Sequence, residues 1–330
     1  MNLMYIGAII ATFIIAVIVG LWLPGIQRKY VQARIQQRIG PPVSSPGIFA
    51  TTKFFLKESV TPNATMPRMY NALPLITLIV VAVLFITLMP YVYGFGAFAS
   101  VVAIVGLLKV EEVMYLFMSS SSQSILSKTM PFPDHAKGGV HLDAKKSFLE
   151  QISANRSLRL VTFGSLPLYL AMFIPVIMAG SMKLQNIVLV QRATGPFLLS
   201  VPGIIGAIAF FVGFLVVLNE YPFSYLKGKS DVIDGPILEY MAKSRGVYFI
   251  AHSFLLFVGS SIFSTLYLGL PPSLSIDLLG PIVCSIIISM AGAAVSAFSP
   301  LFTNREFYPT VVATTGVALV GILAAFITIM

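Results

Sequence analysis

Runs of about twenty apolar residues recur from one end of this chain to the other, and no other feature limits its fold as strongly. A helix rises about 1.5 Å per residue, so about 20 residues cross the roughly 30 Å hydrocarbon layer of a bilayer. The runs fall at about 3–24, 72–91, 95–118, 158–181, 199–218, 246–269, 277–299 and 308–329. They predict an all-α polytopic membrane protein of about eight transmembrane helices, one integral membrane domain over residues 1–330. A closed β-barrel also satisfies its backbone in lipid, but barrel strands alternate apolar and polar residues and these runs are continuous. With 57% hydrophobic and 10% charged residues, against roughly 25% charged in soluble domains, there is too little polar surface to cover a water-soluble globule. The first run lacks a basic leader and a small-residue cleavage site, so it is expected to remain as an anchor rather than be removed as a secretory signal.

The charges sort by side. Of the 21 Lys and Arg, 18 fall on one face: seven between the first two runs, six between the third and fourth with Arg159 at the edge of the fourth counted among them, four between the fifth and sixth, and Arg305. Lys183 and Arg192 fall on the other face and Lys109 within a run. By the positive-inside rule the basic loops face the cytoplasm and both termini face outward. The net charge of +9 is thereby a topology signal, and no nucleic-acid partner is expected. The cytoplasmic loops, about 25–71, 119–157 and 219–245, far exceed the usual connector of about six residues. The opposite face has little between its runs, so a docked partner is expected on the basic side.

Chemistry-bearing residues are few. The single cysteine, Cys284, cannot supply the thiolates of an iron–sulfur cluster, and His135, His141 and His252 show no metal-ligand spacing. No metal and no cofactor is expected in this chain. Within the third run, "GLLKVEEVMYLF" holds Lys109, Glu111 and Glu112. An ion at the bilayer centre costs at least about 2.5–3.5 kcal/mol, so such groups persist where they pair, line water or carry protons. Lys109 can pair with Glu112 at i, i+3; alternatively one carboxylate serves an ion path. Adjacent glutamates point about 100° apart, which predicts that only one faces the protein interior, the other being paired with Lys109 or near the interface. Glu220, at the end of the fifth run, is a further candidate. His252 reads as a packed or hydrogen-bonded core residue, and Ser119 to Ser122 as a helix end or polar helix contact.

The first loop opens with "PGIQRKYVQARIQQRIGPP", read as an amphipathic helix along the membrane surface, ended by Gly40, Pro41 and Pro42 and with Arg34 and Arg38 on one face. A second short helix, "GIFATTKFFLKES", carries Lys53 and Lys57 at the same spacing. These basic groups serve either anionic headgroups or a docked partner.

The stretch "QARIQQRIGPPVSSPGIFATTKFFLKESVTPNATMPR" resembles the first cytoplasmic loop of the complex I H-subunit family, the membrane subunit adjoining the redox arm. The matching positions are Ala33 and Arg34, Gln37 to Pro41 with Arg38, Pro46 and Gly47, Lys53 and Lys57, and Arg68. A second segment, "NEYPFSYLKGKSDVIDGPILEYMAK", is similar to the family's acidic motif, with Pro222 and Phe223 in register and Asp231, Gly235, Glu239 and Tyr240 following without a gap. The same segment departs from the family: Ser224 replaces its Asp, Lys227 and Lys229 replace two glutamates, and Ser165 stands where the fourth span has an acid. In quinone-reducing members those acids line the route from the quinone cavity into the membrane.

The "GPILEY" form is similar to the hydrogenase-type branch: nickel–iron hydrogenases, formate hydrogenlyases and membrane-bound sulfane sulfur reductases. The resemblance implies a non-catalytic coupling subunit. Hydrogenase-like large and small iron–sulfur subunits would dock at Arg34, Arg38, Lys53, Lys57 and Arg68, beside antiporter-like membrane subunits. Charge or ion movement would run through Lys109, Glu111, Glu112, Glu220, Asp231, Asp234 and Glu239. Weighed beside it are a quinone-site subunit of an NADH or reduced-deazaflavin dehydrogenase, and a free-standing secondary transporter. For the transporter there is no repeat of the first half in the second and no pair of broken helices.

Overall fold

In a bilayer every backbone N–H and C=O must be bonded within the protein, and the apolar runs meet that demand as helices. The computed structural model describes residues 3–62, 64–89, 98–122, 148–224, 239–273 and 278–329, and among them it contains helices and no strand beyond isolated bridges. In chain order they are α1 (Leu3–Ile26), α2 (Ser45–Phe49 continuing through Ala50–Leu56), α3 (Pro67–Thr87), α4 (Val101–Ser121), α5 (Phe148–Arg159), α6 (Leu166–Ala179), α7 (Leu184–Thr194), α8 (Val201–Val217), α9 (Ala242–Leu268), α10 (Leu279–Phe298) and α11 (Asn304–Ile329).

Among the described residues six stretches are long and apolar enough to cross a membrane: Gly7–Ile35, Pro67–Thr87, Ala154–Ala179, Ala242–Leu268, Leu279–Phe298 and Arg305–Thr328. Val201–Val217 is apolar but shorter. Val101–Ser121 has the length but carries Lys109, Glu111 and Glu112. Each predicted run thus falls on a helix, and the chain is a polytopic α-helical membrane protein. The most deeply buried helix is α9, which packs on α1, α3 and α10, while α6, α8 and α11 pack on one another.

Two prolines show how the interior is completed. Pro74 in α3 and Pro175 in α6 each lack an N–H, which orphans the carbonyl four residues back. The Tyr240 hydroxyl donates to the Tyr70 carbonyl at 2.8 Å, and the Tyr267 hydroxyl donates to the Ala171 carbonyl at 2.8 Å. Tyr240, the tyrosine of the Glu-Tyr segment, also stacks on Tyr70 with ring centroids 4.3 Å apart. Burial, with Tyr70 and Tyr248 beside it, pushes its hydroxyl well above the usual tyrosine range and keeps it a donor.

Four expectations change. The first-loop helix does not lie separately along the surface: it continues α1 through a wide π-type turn at Gln27–Gln32 and on to Ala33–Ile35. It ends before Gly40, where Gln37 adopts φ +53°, so Arg38 leaves the helix and does not share a face with Arg34. Lys57 likewise sits past the end of α2 in extended backbone, out of register with Lys53. On the opposite face α7 occupies a region read as bare connector, with Leu184, Ile187, Val188 and Gln191 buried at i, i+3, i+4, i+7. Gln191 donates to the carbonyls of Thr265 and Leu266 at the end of α9.

The second helix of the first loop is held by contact with α1. A Cβ at Gly47 would lie 1.8 Å from the Leu21 carbonyl oxygen, and one at Gly25 would lie 1.7 Å from that of Val43. Only glycine permits this approach, which seats the Pro46–Gly47 motif against the membrane end of α1.

Candidate functional site

A wide π-type turn, Leu160–Gly164, interrupts the helix between α5 and α6, and Pro167 follows at the start of α6. Such turns leave carbonyls aimed away from the regular ladder. Here the Val161 carbonyl and the Ser165 hydroxyl face α4. Lys109 Nζ donates to Glu112 Oε2 at 2.7 Å, to Ser165 Oγ at 2.7 Å and, in a short contact, to the Val161 carbonyl. That uses the three donors of an ammonium. Ser165 in turn donates to Glu112 Oε2 at 3.0 Å, and the Tyr169 hydroxyl donates to Oε1 at 2.8 Å. The ammonium also lies 4.9 Å from the Tyr169 ring centroid, a cation–π contact. Glu112 is 1% exposed on its side chain and Lys109 38%.

The i, i+3 pairing of Lys109 and Glu112 is as read from the sequence, but the expectation that only one glutamate faces inward is not. Glu111 is 1% exposed and Glu112 2%. The reason is that α4 is covered by α3 on one side and by α5 and α6 on others, so directions 100° apart both meet protein. Neither carboxyl oxygen of Glu111 closes a hydrogen bond. Tyr115 follows Glu111 by one turn of α4, which places the two on the same side of the helix. Tyr115 OH lies 3.2 Å from His252 Nδ1 on α9, and the Ser119 and Ser157 hydroxyls are 2.6 Å apart where α4 meets α5.

Two cavities adjoin this cluster. A small one, of about 10 Å³, is lined by Glu112, Tyr115, Val161, Asn219, Tyr248 and His252 among others, a volume at the threshold for one water. A larger one, of about 560 Å³, opens on the face of the basic loops between the extension of α1 and the ends of α8 and α9. Arg28, Arg38, Glu220 and Arg245 line it, with Asn219, Tyr248 and His252 in common with the small cavity.

The remaining predicted residues spread out. Arg34, Lys53 and Arg68 are exposed, and Lys57 lies 6.0 Å from the Phe54 ring centroid. Glu239 is half-buried beside Tyr240 and lines neither of these two cavities. Asp231, Asp234, Lys227, Lys229, His135 and His141 lie outside the described residues. Sequence reasoning missed Ser165 and Tyr169 as partners of Glu112, and Tyr115 as a partner of His252. The spacing of Tyr115 from Glu111, one helical turn, was the available signal. Among the described residues no group of His, Cys, Asp and Glu is arranged to hold a metal.

A bundle of long apolar helices with a buried ion-pair cluster and a cavity on its basic face defines a polytopic α-helical membrane protein. The family model described as NADH dehydrogenase matches residues 6–129 and 144–328. The chain belongs to that family, the complex I H-subunit family that its basic loop and Glu-Tyr segment resemble, and is a membrane subunit of complex I-related type.

Among relatives, an uncharacterized protein of Methanocaldococcus jannaschii is 39% identical over 316 residues, 95% of each chain. The H-subunit of the NADH-quinone oxidoreductase of Carboxydothermus hydrogenoformans is 28% identical over 247 residues, 73% of this chain and 62% of that one. A chain in the structure of the membrane-bound sulfane sulfur reductase, an archaeal respiratory membrane complex, superposes with a TM-score of 0.80 at 24% identity, covering 96% of this chain and 98% of that one.

Proposed function

We propose that this chain is the non-redox coupling subunit of a ferredoxin-linked respiratory complex of the hydrogenase or sulfane-reductase type. It anchors a peripheral iron–sulfur arm on the basic-loop face and passes the charge change of electron transfer to ion-moving membrane partners. The basic loops face the cytoplasm and both termini face outward. One observation carries the reading: Glu112 is buried within a span yet fully hydrogen-bonded to Lys109, Ser165 and Tyr169, one cavity away from the basic-loop face. Buried ionisable groups are costly and are kept within spans for pairing or ion movement. Here the pairing hinges on Ser165, the position where quinone-reducing members have an acid.

Glu112→Gln keeps the shape and removes the charge. In sealed vesicles containing the whole complex it should abolish the ion gradient while leaving the redox rate of the peripheral arm largely intact. A full gradient would leave the cluster a structural device only. The partners that copurify in mild detergent identify the branch, since a nickel-containing large subunit marks a hydrogenase and a related subunit without nickel ligands marks sulfane reduction.

The 560 Å³ cavity favours a second reading, a quinone site. Against it stand Ser165, Lys227 and Lys229, each at a position where the quinone-reducing members have an acid.

A further inference from the structure

His252 belongs to the lining of both cavities, with Asn219 and Tyr248, and so stands between the open space on the basic-loop face and the carboxyls buried on α4. Its ring stacks on Tyr248 at 6.1 Å and 6°, and its Nδ1 meets the Tyr115 hydroxyl at 3.2 Å. Tyr115 is one helical turn from Glu111, on the same side of α4, although in this conformation no hydrogen bond closes onto either oxygen. Glu112 shares the small cavity with His252, while Glu220, Arg28, Arg38 and Arg245 surround the large one. Among the described residues Glu111 has neither an ion-pair cation nor a closed donor, so a change in its charge requires a proton to reach it along hydrogen-bonding groups.

We propose that His252 is the group through which Glu111 exchanges protons with the large cavity, the Tyr115 hydroxyl being the step between them. The proposal deepens the coupling reading, since it gives one of the paired carboxyls its route. An imidazole that takes a proton from cavity water carries hydrogen on both nitrogens. Its Nδ1–H then donates to the Tyr115 oxygen, which releases the Tyr115 hydrogen to turn toward Glu111. As the Nδ1 proton passes to the tyrosine oxygen, the tyrosine's own proton passes to the carboxylate. Neutral imidazole, unchanged tyrosine and a neutral carboxyl remain: one proton has moved, and only N–H and O–H bonds are exchanged.

The test times hydrogen–deuterium exchange of the Glu111 carboxyl by infrared spectroscopy on the full chain in lipid nanodiscs, the band being assigned by its loss in Glu111→Gln. Tyr115→Phe and His252→Ala should each slow exchange by about tenfold or more. Imidazole added to the solution should restore the rate in His252→Ala and leave Tyr115→Phe slow, which a merely structural role for His252 does not predict. Wild-type rates in both variants, a slow His252→Ala that imidazole does not rescue, or the absence of a Glu111 carboxyl band at every pH would each overturn the route. Slowed exchange together with a full gradient in both Glu111→Gln and Glu112→Gln complexes supports the route while removing the coupling reading, so the two fail separately.

Discussion

Lys109 and Glu112 meet 2.7 Å apart within the helix bundle, and Ser165 closes the triangle by accepting from one and donating to the other. The hydroxyl at this position therefore joins two charges that a carboxylate there would rearrange. Lys109→Met strands Glu112 with only the two hydroxyls. Breaking a buried pair costs about 3–5 kcal/mol; with Lys109 38% exposed, the expected loss is smaller, about 1–3 kcal/mol. The double variant Lys109→Met with Glu112→Gln should recover most of it, because the unpaired charge is gone. Thermal unfolding in detergent of both variants checks the pair, and equal destabilisation by the double variant would contradict it.

The Tyr240 hydroxyl compensates for a proline one helix away. Tyr240→Phe removes the hydroxyl that donates to the buried Tyr70 carbonyl, at a cost of about 1–3 kcal/mol. Pro74→Ala restores the helical donor to that carbonyl. In the Pro74→Ala background Tyr240→Phe should therefore cost markedly less, and a double-mutant cycle reads the difference as a coupling energy. Additive effects would mean that the hydrogen bond adds nothing beyond the stacking of the two rings.

The helices and the Lys109–Glu112 pair were legible because they follow from local rules: apolar length against bilayer thickness, and i, i+3 spacing on one helix. What was not legible depends on neighbours far along the chain. Two glutamates 100° apart are both buried because α3, α5 and α6 surround α4, which no window of sequence around Glu111 encodes. Ser165 read as a lost acid, since its meaning lies in the ammonium that reaches it from α4 across 56 residues. The first-loop helix read as a separate element because the apolar run gives way to basic residues, whereas the helix widens into a π-type turn and runs on to Ile35. Arg34 and Arg38 parted because Gln37 turns left-handed, a conformation that its residue type does not advertise.

Gly47→Ala should unseat the first loop. The added methyl would overlap the Leu21 carbonyl, a backbone atom that can move only by shifting α1. A loss of about 1–3 kcal/mol is expected from such overpacking. Gly106→Ala in α4 is the control: its Cβ meets nothing within 4 Å, and alanine suits a helix interior better than glycine by about 0.5–1 kcal/mol. Melting temperatures of the two variants should move in opposite directions.

Quinone-site inhibitors should leave electron transfer in the purified complex unchanged. Ser165 is committed to Lys109 and Glu112, and Lys227 and Lys229 stand at positions where the quinone-reducing members have acids. Tight inhibition competitive with added quinone would make the 560 Å³ cavity a quinone site and reverse the choice of branch.

The last prediction concerns docking, where the structure separates residues that the sequence had grouped. Arg34 is exposed on the extension of α1 and Lys53 on α2; Arg38 is exposed too, but it lines the large cavity. If the peripheral arm covers this face, reversing Arg34 or Lys53 to Glu opposes like charges across the contact, which costs affinity and slows association. Arg34→Glu with Lys53→Glu should therefore release the arm during detergent purification, and more readily at low salt, where repulsion is least screened. Arg38→Glu should act differently, changing the charge of the cavity with a smaller effect on assembly. Subunit composition after size-exclusion chromatography at two salt concentrations gives the answer. An intact complex with both Arg34 and Lys53 reversed would show that these groups face lipid headgroups and that the arm is held elsewhere.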